Sequence, residues 1–267
     1  MAFFRRNIAF MKLAIVTNLE YRLNYFLDAL AQPIVTSLIE VAFWSAVFVS
    51  SGQASIGGFD LNSFLAYAIW ASFISRISVN WMYEFRMIED VESGMLNTLL
   101  VRPVSFFEYY LSQFMGYKLV TTLISLSVPL IAVWLMHLPL IWSHLLPSIL
   151  LAVYYLVFLF LLSFIVMTFS FHLTRIQGIS VAKNLAMWIL SGELIPLDLF
   201  PEPARHWLIL LPFSCGVFVP VAYLTGRVGS DTLAQGFYST TAGIVALSLL
   251  ANFLWERGLR KYVGTGA

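Results

Sequence analysis

Charge is scarce in this chain: only 11% of its 267 residues are Asp, Glu, Lys or Arg, against roughly 25% in soluble domains. With 15 basic and 14 acidic residues the formal net charge is +1, which excludes the dense basic face that nucleic-acid binding requires. Cys215 is the one cysteine, so no disulfide forms within the chain. The sequence contains no G-x-x-x-x-G-K-[ST] phosphate loop, no G-x-S-x-G nucleophile elbow and no H-E-x-x-H zinc helix. It therefore carries no nucleotide site of its own and neither of those hydrolytic arrangements. Gly52-Gln53-Ala54-Ser55-Ile56-Gly57 has a faint likeness to a membrane serine protease motif, but Ser55 sits in a Gly-rich loop with no evident His partner. The histidines are scattered, and His137 and His144 merely flank a turn at Pro139, so they are read as interface polar groups and not as metal ligands. Internal repeats and low-complexity segments are missing too. The start does not read as a cleavable signal peptide, because Arg5 and Arg6 are followed by Asn7, Lys12, Asn18, Glu20 and Arg22 where a clean apolar region would stand.

What the chain has in abundance is apolar sequence, 60% of the total. A helix needs about 20 mostly apolar residues to cross a bilayer, and six stretches meet that need: Leu23 to Val49, Leu61 to Met82, Phe106 to Met136, Leu145 to Phe171, Ile179 to Ile195 and Gly236 to Trp255. The fold class expected is an all-α integral membrane protein with six transmembrane helices. Lys and Arg concentrate on one set of connections: Arg5, Arg6, Lys12, Arg22, Arg86, Arg102, Arg175, Lys183, Arg257, Arg260 and Lys261. Only Arg205 and Arg227 fall on the other set, while Arg76 and Lys118 lie inside predicted helices. The positive-inside rule then places both termini in the cytoplasm.

Between the crossings the chain divides into recognisable pieces within a single membrane domain, 1–267. Phe4, Ile8, Met11, Ile15 and Leu19 share one helix face, which predicts an amphipathic helix over 1–22 lying along the cytoplasmic interface, either as a plain anchor or with a part in gating or partner contact. Ser50 to Asp60, with Gly52, Gly57 and Gly58 and no basic residue, suits a short external loop. The cytoplasmic link 84–103 joins an acidic cluster (Glu89, Asp90, Glu92) to apolar Ile88, Met95, Leu96, Leu99 and Leu100 and stops at Pro103. A loop this apolar should dock onto something, or cap the second and third helices. On the opposite side, 192–235 is interrupted by Pro196, Pro201, Pro203 and Pro212. Its apolar runs are too short to span, so a broken, re-entrant external segment before the last helix is expected.

Charges inside the membrane point to function by default. Asp28 and Glu40 are 12 residues apart, about 18 Å along a helix, and cannot pair with each other. Asp28 is expected near the cytoplasmic interface in an unremarkable role. Glu40 and Arg76 are expected to form a structural pair between the first two helices, with substrate contact as the rival role. Glu193, beside Gly192 and three residues before Pro196, is expected at a wet gate.

Two segments then carry a resemblance. Glu92-Ser93-Gly94-Met95-Leu96-Asn97-Thr98-Leu99-Leu100-Val101-Arg102-Pro103-Val104-Ser105 is similar to the Gly-x-Leu coupling segment of type-2 ATP-binding-cassette (ABC) transporter permeases, which ends in an Arg-Pro turn. Leu190-Ser191-Gly192-Glu193-Leu194-Ile195-Pro196 resembles that family's Ser-Gly-x-x-x-Pro external break. The resemblance, spanning essentially the whole chain, implies an export-type membrane subunit in a bacterial plasma (inner) membrane, paired with a second permease, identical or related. Cytoplasmic ABC ATPase subunits would bind the ATP and Mg, leaving this chain with no cofactor and no catalytic residue. Coupling to the ATPase would fall to Arg86, Glu89, Asp90, Glu92, Gly94, Leu96, Leu99 and Arg102, and the pathway or gate to Glu40, Arg76, Gly192, Glu193 and Pro196. A secondary transporter or channel working without an ATPase is the alternative, although repeats broken at matching points in both halves, usual for that class, are missing.

Overall fold

The computed structural model describes residues 2–20, 22–173 and 175–262. Met1, Tyr21 and the side chains of Phe4 and Arg22, all part of the expected N-terminal helix, lie outside what is described. The described residues are almost wholly helical, with a lone bridge between Ile56 and Phe59 as their sole β pairing.

Helix α1 (Ala2–Glu20) packs along α7 (Phe106–Ser125). The approach is close, because a Cβ on Gly116 would stand 2.6 Å from the Met11 carbonyl oxygen. Arg6 anchors the contact through Glu108 and the Pro103 carbonyl. The face turned to α7 is centred on buried Ala14, so Leu13, Val16 and Leu19 point outward. Next comes a nearly continuous helix: α2 (Arg22–Phe26), a π-helical turn Leu27–Ala31, and α3 (Gln32–Ser51). Pro33 explains the wide turn. It has no N–H to give to residue 29 and its ring crowds that carbonyl, so the helix takes in an extra residue just ahead of it.

Helix α4 (Leu61–Ile77) is the spine of the core. Asp60 caps it, accepting from the Ser63 hydroxyl and amide, and every residue from Phe64 to Ile77 except Arg76 is buried. After α5 (Trp81–Glu92) and α6 (Leu96–Leu100) the chain rises through α7, capped by Ser105. Pro129 interrupts the ladder and separates α7 from α8 (Ser127–Met136). Helix α9 (Leu145–Thr168) is the other buried helix, and α13 (Ser230–Lys261) runs along it. Between them in sequence lie α10 (Gln177–Leu190), α11 (Glu202–Leu210) and α12 (Phe218–Leu224).

Among the described residues four helical stretches are long and apolar enough to cross a membrane: Leu23–Ser51, Phe106–Met136, Trp142–Phe171 and Ser230–Lys261. The chain is an all-α integral membrane protein. The two other expected crossings correspond to α4, with 17 residues, and α10, with 14. Polar punctuation at Ser78-Val79-Asn80 and at Ser191-Gly192 stops both short of a standard span. The first span is 6% buried and the third 67%, so α3 lies at the periphery and α9 at the centre. The broken segment is divided by environment: no residue of α11 is buried, whereas α12 and the 3-10 turn before it sit within α4, α9 and α13. Irregular backbone is thereby covered by protein, the condition under which it is tolerated at membrane depth.

Candidate functional site

Four charged side chains converge where the π-helical turn, α4, α7 and the turn after α10 meet. Arg76 forms an ion pair with Asp28, and the Tyr117 hydroxyl donates to the same carboxylate. The Lys118 ammonium donates to the Arg76 carbonyl at 2.8 Å, and the Tyr25 hydroxyl to the Tyr117 carbonyl at 3.2 Å. This corrects two sequence expectations. The partner of Arg76 is Asp28, read from sequence as an unremarkable interface carboxylate, and not Glu40, whose carboxylate accepts from Trp44 Nε1 at 2.9 Å on its own helix. The reason is the π-helical turn, which sets Asp28 toward α4 and α7, a rotation that regular helical spacing does not predict.

These residues border a cavity of about 360 Å³ lined by Asp28, Gln32 and Thr36 from the first span, Ser72, Ser75, Arg76 and Asn80 from α4 and its end, Tyr117 and Lys118 from α7, and Trp81, Trp188 and Glu193. Glu193 and Ser75 face the same cavity, the Ser75 hydroxyl donating to the Ser72 carbonyl at 3.0 Å. Glu193 also borders a smaller cavity of about 20 Å³ with Tyr155 and Asn184, and a cleft of about 10 Å³ with Glu40 and Pro196. The structure thus brings Arg76, Glu193 and, through that cleft, Glu40 and Pro196 into one region. Gly192 builds the turn that holds Glu193 there. Its φ is +79° and an added Cβ would meet Phe218 Cβ at 2.9 Å, so only glycine fits without strain. The Tyr67 hydroxyl donates to the Gly192 carbonyl at 3.1 Å, and the Phe218 amide to the Ser191 carbonyl at 2.8 Å, tying the break to α4 and α12.

Next to this turn, Asp198 accepts from Arg227 Nε at 2.8 Å and lies 3.8 Å from Arg205. Both arginines assigned by sequence to the sparsely charged side thus meet at one carboxylate, and Arg205 also pairs with Glu202 at 3.2 Å. Arg227 also reaches the Gly57 and Gly58 carbonyls and covers the Phe59 ring at 3.3 Å. The guanidinium joins the loop before α4 to the loop before α13.

The second group of predicted residues forms an elbow. Gly94, with φ +78°, reverses the chain between α5 and α6. Leu96 and Leu99 are buried in the chain's own core, at 0% and 7% exposure, on a short helix that lies against α7, so these two follow the capping alternative for the loop and do not serve as docking anchors. Asp90 also turns inward and accepts from Tyr110. The outward surface consists of Arg86, Glu89, Glu92 and Arg102 together with apolar Met95, Leu100 and Val101, the last 85% exposed.

Sequence reasoning missed an ion pair beneath the elbow. Glu84, fully buried, is bound by Lys183 and Ser180 of α10, and Lys183 also donates to Ser163 of α9 at 3.2 Å. Lys183 is therefore not part of a free basic link. The signal was present: Glu84 shares its helix face with Met87, Ile88 and Val91, all buried, and a carboxylate in register with an apolar stripe has to be paired. Among the described residues no cluster of three or more His, Cys, Asp or Glu is placed to hold a metal ion.

Comparison with protein-family models finds a match over residues 34–266 to the family described as ABC-2 family transporter protein. No curated protein and no solved structure matches the chain.

Proposed function

Since the chain belongs to the ABC-2 transporter family, we propose that it is the permease subunit of an exporter, working as a dimer and driven by separate ABC ATPase subunits that bind ATP and Mg. The observation that carries this reading is the cavity of about 360 Å³ that joins Asp28, Arg76, Lys118 and Glu193. Buried charges around an open space are the wall of a pathway and not of a sealed core. Six crossings follow if α4 and α10 span with the turns that extend them, since α4 alone rises about 26 Å. Both termini and the elbow are then cytoplasmic, in a bacterial plasma membrane, and the Glu193 turn with the Asp198 and Arg227 cluster is external. The N-terminal helix α1 lies where cytoplasm meets bilayer, with Leu13, Val16 and Leu19 toward lipid.

In this mechanism ATPase closure pushes on the elbow. Met95, Leu100 and Val101 give it apolar contact, and Arg86, Glu89, Glu92 and Arg102 set register. The push reaches the pathway through α5, because Glu84 on that helix is bound to α10 and α10 leads into the turn that carries Glu193. Asp90 and the buried leucines keep the elbow rigid so that the displacement is not absorbed locally. Purification of the tagged chain in mild detergent, with mass spectrometry of what is retained, tests the assignment. A stoichiometric ABC ATPase is expected, and recovery of the chain alone, under conditions that preserve other membrane complexes, would overturn it in favour of a secondary transporter or channel.

A further inference from the structure

The groups in a cavity wall that find no partner within the protein describe what the cavity is built to hold. Arg76 and Asp28 satisfy one another. Lys118, 4% exposed, donates to a backbone carbonyl and lies 5.8 Å from the Phe114 ring centroid, with no carboxylate within ion-pair distance among the described residues. Glu193 lines the cavity and has no Lys or Arg within ion-pair distance among the described residues. Asn80, 4% exposed, lines the same cavity with both its side-chain oxygen and nitrogen unpartnered among the described residues. Trp81 and Trp188 stack at 5.5 Å between ring centroids and, together with Glu193, border this cavity and the adjoining one of about 20 Å³.

An uncompensated charge in a low-dielectric site is costly, and here one of each sign borders the same space. A purely anionic ligand would satisfy Lys118 but meet the Glu193 carboxylate, and a purely cationic one would do the reverse. Indole faces add attraction for an ammonium, quaternary ammonium above all. We propose that this cavity binds a zwitterionic headgroup, its anionic oxygens on Lys118, its ammonium between Glu193 and the Trp81 and Trp188 rings, and its linking atoms on the Asn80 amide. That this headgroup is the transported cargo rests on the permease reading above; that it binds does not.

The test is titration calorimetry of the purified full chain in maltoside micelles, without ATPase, using hexylphosphocholine, hexyl phosphate and hexyltrimethylammonium. The zwitterion is expected to bind about tenfold tighter than either singly charged probe, the scale of one charge-assisted contact. K118M should shift preference to the cation and E193Q to the anion, and a gained preference cannot come from a misfolded variant. Phosphocholine without the chain separates the sources: binding equal to that of hexylphosphocholine supports a soluble zwitterion, and binding only with the chain supports a lipid. Equal affinity for all three hexyl probes, or a uniform loss for all three in both variants, overturns the proposal. ATPase retention on the affinity-purified chain is scored separately, so failure of the permease reading and failure of the headgroup assignment are told apart.

Discussion

Asp28 and Arg76 form an ion pair that fastens the π-helical turn of the first span to the end of the core helix α4. The pair links a peripheral helix, exposed along most of its length, to the buried spine of the molecule, and Tyr117 locks it from a third helix. Side-chain exposure is 11% for Arg76 and 37% for Asp28, and both line the cavity, so the pair stands in the cavity wall and not in a sealed core. Thermal unfolding of D28N, R76Q and the double variant should give a coupling of about 0.5–3 kcal/mol, whereas E40Q with R76Q should be additive within about 0.5 kcal/mol. Coupling to Glu40 and none to Asp28 would contradict the assignment.

Glu84 and Lys183 make the more demanding pair, because the carboxylate is fully buried. E84L or K183M alone strands a buried charge and should cost about 3–5 kcal/mol, while the double variant E84L/K183M should recover part of that loss. The stability of the three variants in detergent checks this, and additive single losses would show that the two side chains act independently.

The elbow separates stability from coupling. Leu96→Ala or Leu99→Ala removes buried side chain and should lower stability by about 2–5 kcal/mol. V101D alters an outward position and should leave stability within about 0.5 kcal/mol, yet weaken ATPase retention on the purified chain. A destabilised V101D, or unaltered retention, would remove Val101 from the docking surface.

The Asp60 carboxylate, in the loop before α4, is held below the ordinary carboxylate range chiefly by its hydrogen bond from Ser63. A group depressed on folding adds stability that is present above its unfolded value, 3.8, and is lost as pH falls through its folded one. D60A should therefore cost about 1 kcal/mol at neutral pH, with the gap from the unsubstituted protein closing below pH 3.8. A gap that stays constant with pH would mean that the cap does not act through its charge.

Much of this architecture is written in the sequence as hydropathy and punctuation. The long apolar runs became helices at the expected places, Gly94 and Gly192 became the two reversals, and the prolines after Gly192 became the broken segment. What escaped is the rotation of helices and the choice of partners. Pro33 signalled a distortion, but which way the widened turn would set Asp28 depends on α4 and α7 together, and no local pattern encodes that. Leu96 and Leu99 look the same whether they face a partner protein or their own core; burial against α7 decides it. Glu84 was legible through its register with Met87, Ile88 and Val91, whereas its partner lies 99 residues away and follows only from the fold.

The account stands or falls on the elbow touching an ATPase. Cys215 is buried, whereas Val101 is 85% exposed, so V101C presents the one accessible thiol for a short thiol-to-amine cross-linker in native membranes. The account predicts an adduct between V101C and an ABC ATPase, identified by mass spectrometry, and none from V49C, equally exposed at 81% but at the far end of α3. Capture of the ATPase from V49C and not from V101C, or from neither in membranes where the ATPase is present, would contradict it.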